Sequence, residues 1–207
     1  MRIRHRGFEP QADDTVYIAP NATLVGNVHI GPDSRVMYNA VLDAEASRID
    51  IGQCTIICEN AVIRATALGD VPHPAWVGDN VFISPHATLL GCRVETASYI
   101  ATNAVVLQGA VVNAGAVVAV GALVHANTVL PADFFVPPFN IAVGNPVRLY
   151  SPDEKGVLVD AIKAIGFVKT AFGVNPQWDD HLERYRQVTR ARSQEFAAHF
   201  EDEILPD

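Results

Sequence analysis

The sequence predicts a mainly β fold, a solenoid of short parallel strands, with α-helices at its C-terminal end. Three observations predict it. An aliphatic residue returns every six positions over most of the chain, Gly, Asn and Asp collect between those positions, and the composition changes near Tyr150.

The repeat is clearest from Ile83 onward: ISPHAT, LLGCR, VETASY, IATNAV, VLQGAV, VNAGAV, VAVGAL, VHANTV, LPADFF. Each block opens on Ile, Leu or Val and usually carries a small residue fifth. The same phrase occurs earlier as IAPNAT from Ile18, IGQCTI from Ile51, ICENAV from Ile57 and VGDNVF from Val77. A six-residue period fits neither a 3.6-residue helix nor two-residue alternation. It fits a strand and a turn per block, three blocks making one coil of a triangular prism. A β-sandwich would instead space its turns by about 8–12 residues. Ile83, Leu89, Ile100, Val112 and Val118 are then expected to share one core. Gly, Asn and Asp suit the corners, where left-handed backbone angles are needed. Insertions near Ala44–Asp50 and Ala65–Trp76 and the five-residue block LLGCR interrupt the count.

Residues 1–150 form the expected solenoid domain and residues 151–207 a helical extension. No lysine precedes Lys155. The phrase SPDE, Ser151 to Glu154, offers an N-cap Ser, Pro at the first helical position and Glu to close a capping box. Val157, Leu158, Ala161, Ile162 and Ile165 follow as an apolar stripe. A second helix is expected from Asp180 to Glu201, with Leu182, Tyr185, Phe196 and Phe200 facing inward, packed on the prism or on a neighbouring subunit.

Hydrophobic residues make up 49% of the 207-residue chain and charged residues 18%, which predicts a packed domain. A formal net charge of −8 argues against a nucleic-acid or anionic-membrane partner. No apolar run approaches the ~18 residues that span a bilayer, and the basic start MRIRHR lacks the apolar stretch of a signal peptide. Cys54, Cys58 and Cys92 are too few and too irregular for a disulfide framework. A cytoplasmic protein is expected.

The phrases VYIAPNATLVGNVHIGPDSRVMYNAVL and VGNPVRLY, with NAVL, VGDNV and LLGC, resemble the γ-class carbonic anhydrase-like branch of the hexapeptide-repeat proteins over about residues 8–150. The resemblance implies a left-handed parallel β-helix, an exception to the right-handed crossover rule, a homotrimer, and sites in clefts between adjacent prisms. It also implies three metal-binding histidines, one closing a phrase like NSVIH and two in a phrase like GHxAxLHGC. Here the slots hold Arg64, Pro85 and Leu90, and His86 falls one residue past the slot of Pro85. A guanidinium, a proline ring and an isobutyl group offer no ligand, so no metal site, no zinc and no other cofactor are expected. Asp43 and Glu45 stand where the family has Arg and Asp, and Ile56 and Cys58 where it has Asn and Gln.

Several functions remain open at this stage. One is a carbonic anhydrase-like protein without that activity, whose remodelled cleft, with Arg64, Asp43, Glu45 and His86, binds a small anion; Arg64 could instead be neutralised internally by Asp43 or Glu45. A second is an acyl-CoA-dependent acyltransferase with His86 or His125 as base, although each could equally be a partly exposed corner histidine. A third is a rearranged metal enzyme using His73 and His86. A last reading makes Cys58 a nucleophile, its pKa lowered by Arg64. The candidate catalytic residues are thus His86, Cys58 and His125, without a decisive motif for any.

Overall fold

The computed structural model describes residues 1–68, 71–175 and 180–206; Gly69 and Asp70 of the second insertion lie outside them. The fold is a left-handed parallel β-helix with three walls. Its first wall stacks eight parallel strands, among them Arg2–Arg4, Thr23–Val25, Val41–Asp43, Val62–Arg64 and Thr88–Leu90, ending at Ile141–Val143. The other two walls have seven strands each. Strand Arg148–Tyr150 adds antiparallel to Ile141–Val143, and Glu203–Ile204 adds antiparallel to Arg2–Arg4. Both open edges of the first wall are therefore paired from within the chain.

One ladder shows how the core is encoded. Leu24, Leu42, Ile63, Leu89, Val106, Val124 and Ala142 are successive rungs and are all fully buried. The step is eighteen residues from Leu24 to Leu42, seventeen from Leu89 to Val106 across LLGCR, and twenty-six from Ile63 to Leu89 across the second insertion. Extra and missing residues are thus absorbed at corners, because a one-residue slip along a strand would turn each core side chain outward. Ile83, Ile100, Val112 and Val118 belong to the same buried cluster, as the period predicts. Corners take left-handed angles at Asp33, Asn39, Asn60, Asn103, Asn127 and Asp133, but also at Glu45 (φ +47°) and His86 (φ +63°).

Three helices follow: α1 (Lys155–Ala164), α2 (Phe167–Phe172) and α3 (His181–Phe196), the last running into a 3-10 turn at Ala197–Glu201. The first helix starts later than SPDE suggests. The Ser151 hydroxyl accepts from Asp153 N–H at 3.3 Å, and the Glu154 carboxylate accepts from Ser151 N–H at 2.7 Å, so the phrase closes a turn before the helix. Helix α2, which the sequence pattern does not mark, is bracketed by Gly166 and Gly173, both left-handed. Asp180 caps α3 by accepting from Glu183 N–H at 2.9 Å.

Within one chain, only part of the expected inward face of the second helix meets the prism. Leu182, Tyr185 and Phe200 are 64%, 61% and 95% exposed, while Arg184 and Glu195 are buried. The prism side of this segment is polar and aromatic: Phe196 covers Arg64, Arg192 pairs with Glu195, and Arg6 Nη2 donates to the Glu195 carbonyl at 3.2 Å. Helix α1 likewise has no buried residue, despite its apolar stripe.

Candidate functional site

The first wall places Asp43, Arg64 and Leu90 on adjacent rungs. Side chains at matching positions of neighbouring coils face the same way, so the register puts Arg64 beside an acid on one side and Leu90 on the other. Arg64 Nη2 donates to Asp43 Oδ2 at 2.9 Å and pairs with Glu45 Oε1. Glu45 sits at the corner just past Asp43; its left-handed backbone is held by Asp43 Oδ1, which accepts from Glu45 N–H at 3.0 Å. A glutamate in that conformation is uncommon, and here its side chain is turned fully inside. The ring of Phe196 from α3 lies 4.4 Å from the guanidinium carbon. Burial and the neighbouring Glu45 raise the pKa of Asp43, and Arg64 offsets this only in part.

The resemblance implies a metal position at Arg64, Pro85 and Leu90. A catalytic zinc site needs three protein ligands and an open fourth position. At Arg64 the structure has an ion-paired guanidinium under an aromatic ring, and the adjacent rung holds the aliphatic Leu90. Neither side chain offers a ligand atom.

The remaining sequence candidates separate. His86 is an exposed corner residue. Its N–H donates to the Glu59 carbonyl at 3.0 Å, as Asn60 N–H does to Tyr38 and Asn103 N–H to Pro85. It thus occupies the position that Asn holds on neighbouring coils, one residue past the slot and off the first wall. His73 exchanges backbone hydrogen bonds with Thr66 across the second insertion. A Cβ on Gly91 would lie 2.6 Å from His73 Cβ, so the insertion rests directly on this glycine of LLGC. His73 also lines a cleft of about 330 Å³ with Asn127, Lys169 and Thr170, and burial lowers its pKa.

Two further expectations are corrected. His125 is not a partly exposed corner residue: it is 4% exposed, Nδ1 accepts from Ala126 N–H at 2.9 Å, and the ring stands edge-on to Phe167 at 4.9 Å. Burial pushes its pKa down to about 4, since the cation is costly away from water. Cys58 is buried too, and burial together with Glu59 raises its thiol pKa. The thiolate needed for nucleophilic attack is disfavoured, opposite to the expected effect of Arg64.

Sequence reasoning missed His5, His199 and Asp202, which join the Arg64 cluster. His199 Nε2 lies 3.3 Å from Glu45 Oε1, and the His5 and His199 rings stack at 4.4 Å. No local signal marks them, because they meet only when strand Glu203–Ile204 closes onto strand Arg2–Arg4.

No family model matches the sequence. A 97-residue stretch, 46% of this chain, is 44% identical to "Gamma carbonic anhydrase 3, mitochondrial" of Arabidopsis thaliana and covers 38% of that protein. A 91-residue stretch is 35% identical to "Probable carbonic anhydrase" of Methanocaldococcus jannaschii, covering 44% of this chain and 55% of that one. This chain is similar to the gamma carbonic anhydrases. Among solved structures, a hexapeptide transferase family protein from Anaplasma phagocytophilum superposes with a TM-score of 0.54 at 22% identity, over 91% of this chain and 94% of that one. That likeness concerns the fold. The chain matches less than two thirds of the length of these gamma carbonic anhydrase relatives. Among the described residues no helix is long and apolar enough to cross a membrane.

Proposed function

We propose that this gamma carbonic anhydrase-like chain is a binding or structural module of a homotrimer, and that it does not hydrate carbon dioxide at the family's metal position. One observation supports the reading: Arg64, which the resemblance aligns with a ligand slot, is ion-paired with Asp43 and Glu45 and covered by Phe196. The alternative use of Arg64, as the seat of a small anionic ligand, would make that anion compete with two carboxylates already on the guanidinium. The acyl-transfer reading gains no base from His125, whose ring is buried against Phe167.

The test is carbon dioxide hydration by the purified, zinc-supplemented protein. No rate above the uncatalysed reaction is expected. Joint replacement of Arg64, Pro85 and Leu90 by His supplies three ligands at the family spacing, and zinc binding by that variant is the positive control. Hydration by the unmodified chain at a rate comparable to a zinc enzyme would refute the proposal.

A further inference from the structure

The histidine pair beside Glu45 is arranged around a shared acid. Asp202 lies 2.6 Å from His5 Nδ1 through Oδ1 and 2.9 Å from His199 Nδ1 through Oδ2. A carboxylate only accepts, so both rings donate from Nδ1 and keep a lone pair on Nε2 when neutral. The rings are nearly parallel, 21° apart, and stacked. The ring nitrogens not bound to Asp202 are His199 Nε2, beside Glu45, and His5 Nε2, beside Arg6.

His199 Nε2 lies 3.3 Å from Glu45 Oε1, an oxygen that also accepts from Arg64 Nη2. A proton on Nε2 would serve Oε1 alone. The other oxygen, Glu45 Oε2, is buried without any hydrogen-bond partner, a costly state for a carboxylate whose side chain is fully inside.

We propose that His5, His199 and Glu45 form a binding site for a divalent transition-metal ion, zinc among them, with Asp202 as the outer carboxylate that orients both imidazoles. Their ligand atoms already lie within 4.8 Å of one another. Two imidazole nitrogens and one carboxylate are a common zinc set and leave a fourth position open. A carboxylate behind each ligating imidazole is the usual second layer of such sites. The side chain of His199 is 30% exposed and gives the ion a way in. Arg6 Nε donates to His5 Nε2 at 3.1 Å; Arg6 is exposed, and it is the group the ion displaces. None of the three ligands is Arg64, Pro85 or Leu90, although Glu45 also pairs with Arg64, so this site borders the family position without using its slots. It would staple the first strand, the corner after Asp43 and the C-terminal turn.

The test is zinc titration of the chelator-stripped protein by calorimetry, with the absorption of a cobalt-loaded sample reporting geometry. One zinc per chain is expected, and a cobalt spectrum of a four-coordinate site. His199→Gln and Glu45→Gln should each weaken zinc binding more than about 100-fold, and Asp202→Asn about 10–100-fold. Leu90→Ala should leave it unchanged. Circular dichroism identifies any variant that fails to fold, and the graded Asp202→Asn effect then carries the test. Absence of saturable zinc binding, or binding unaltered in both His199→Gln and Asp202→Asn, overturns the site. Zinc binding without hydration leaves the proposed function intact; hydration that His199→Gln abolishes belongs to this site, and hydration that survives His199→Gln sinks the proposed function.

Discussion

In the prism, Ile83, Leu89, Ile100 and Val118 have no exposed surface, whereas Leu182 and Phe200 at the C-terminal end are 64% and 95% exposed. Both regions carry apolar residues at regular intervals. In the solenoid each coil is roofed by the next, so an aliphatic residue at the right position is buried by its own repeat. The extension has no repeat to roof it, and among its described residues only Val168 and Ala171 are buried apolar side chains. It is tied to the prism at points: Asn127 donates to the Ile165 carbonyl at 3.2 Å and to Thr170 at 2.9 Å, Phe196 covers Arg64, and His199 reaches Glu45. Apolar burial holds the first region together, and polar and cation–aromatic contacts hold the second to it.

The largest expected effect therefore lies in the prism. Leu89→Ala removes a buried side chain between two rungs, Ile63 and Val106, and a β-helix core cannot collapse around the gap without shifting both coils. A loss of about 3–5 kcal/mol is expected, read as a fall in the urea midpoint with an unchanged slope. A loss below about 1 kcal/mol would mean that the core is not packed as the ladder indicates.

Arg64→Ala strikes the joint between the two regions. It leaves Asp43 and Glu45 facing each other inside and removes the cation beneath Phe196. Removing one partner of a buried pair costs about 3–5 kcal/mol, and Arg64 is 27% exposed, so about 3 kcal/mol is the expected loss. If Arg64 were instead an anion seat, the variant would keep its intrinsic stability and lose only stabilisation by added phosphate or carboxylate. Chemical denaturation with and without phosphate separates the two outcomes.

The fold was legible because its rule is local. Six-residue blocks from Ile83 to Phe135 specify which side chains enter the core, and the corner Asn residues mark the turns. The adjacency of Arg64 and Leu90 was legible as well, since their register follows from counting. His86 and the partner of Arg64 divide the case: counting placed His86 at a corner, whereas the pairing of Arg64 with both Asp43 and Glu45 depends on how the corner at Glu45 turns inward. The histidine pair was hidden. His5 and His199 are brought together by the pairing of Ile204 with Ile3, and no periodicity links two ends of a chain. The helices were half legible, because caps such as Asp180 are local signals, but the face a helix buries depends on what it meets.

His125 tests the joint through pH. Its pKa is held down to about 4 in the folded chain, against about 6.5 for an ordinary histidine. The contribution is fully present above pH ~6.5. As pH falls toward 4 the unfolded chain takes up a proton that the folded chain refuses, so stability is lost across that window. The full difference corresponds to roughly 3 kcal/mol, reduced to about 2 for the solvent contact the ring retains. Stability curves at pH 7.5 and 4.5 should differ less for His125→Asn, which keeps an acceptor for Ala126 N–H, than for the unmodified chain. Equal differences would show that this ring titrates in the folded state.

The smallest effect is expected at Leu182. An exposed side chain on a helix surface changes stability by no more than about 0.5 kcal/mol when cut to Ala, and Ala is the better helix former. Leu182→Ala should therefore be nearly neutral if its helix face meets only water, in contrast to Leu89→Ala. In a trimer the same face could be covered by another subunit, as could the exposed Tyr185 beside it. The variant would then lose stability by more than about 1 kcal/mol, and the loss would grow on dilution, because a subunit contact contributes by mass action. Measuring Leu182→Ala and Leu89→Ala at two protein concentrations separates these cases. A core loss is independent of concentration, and only an interface loss is not.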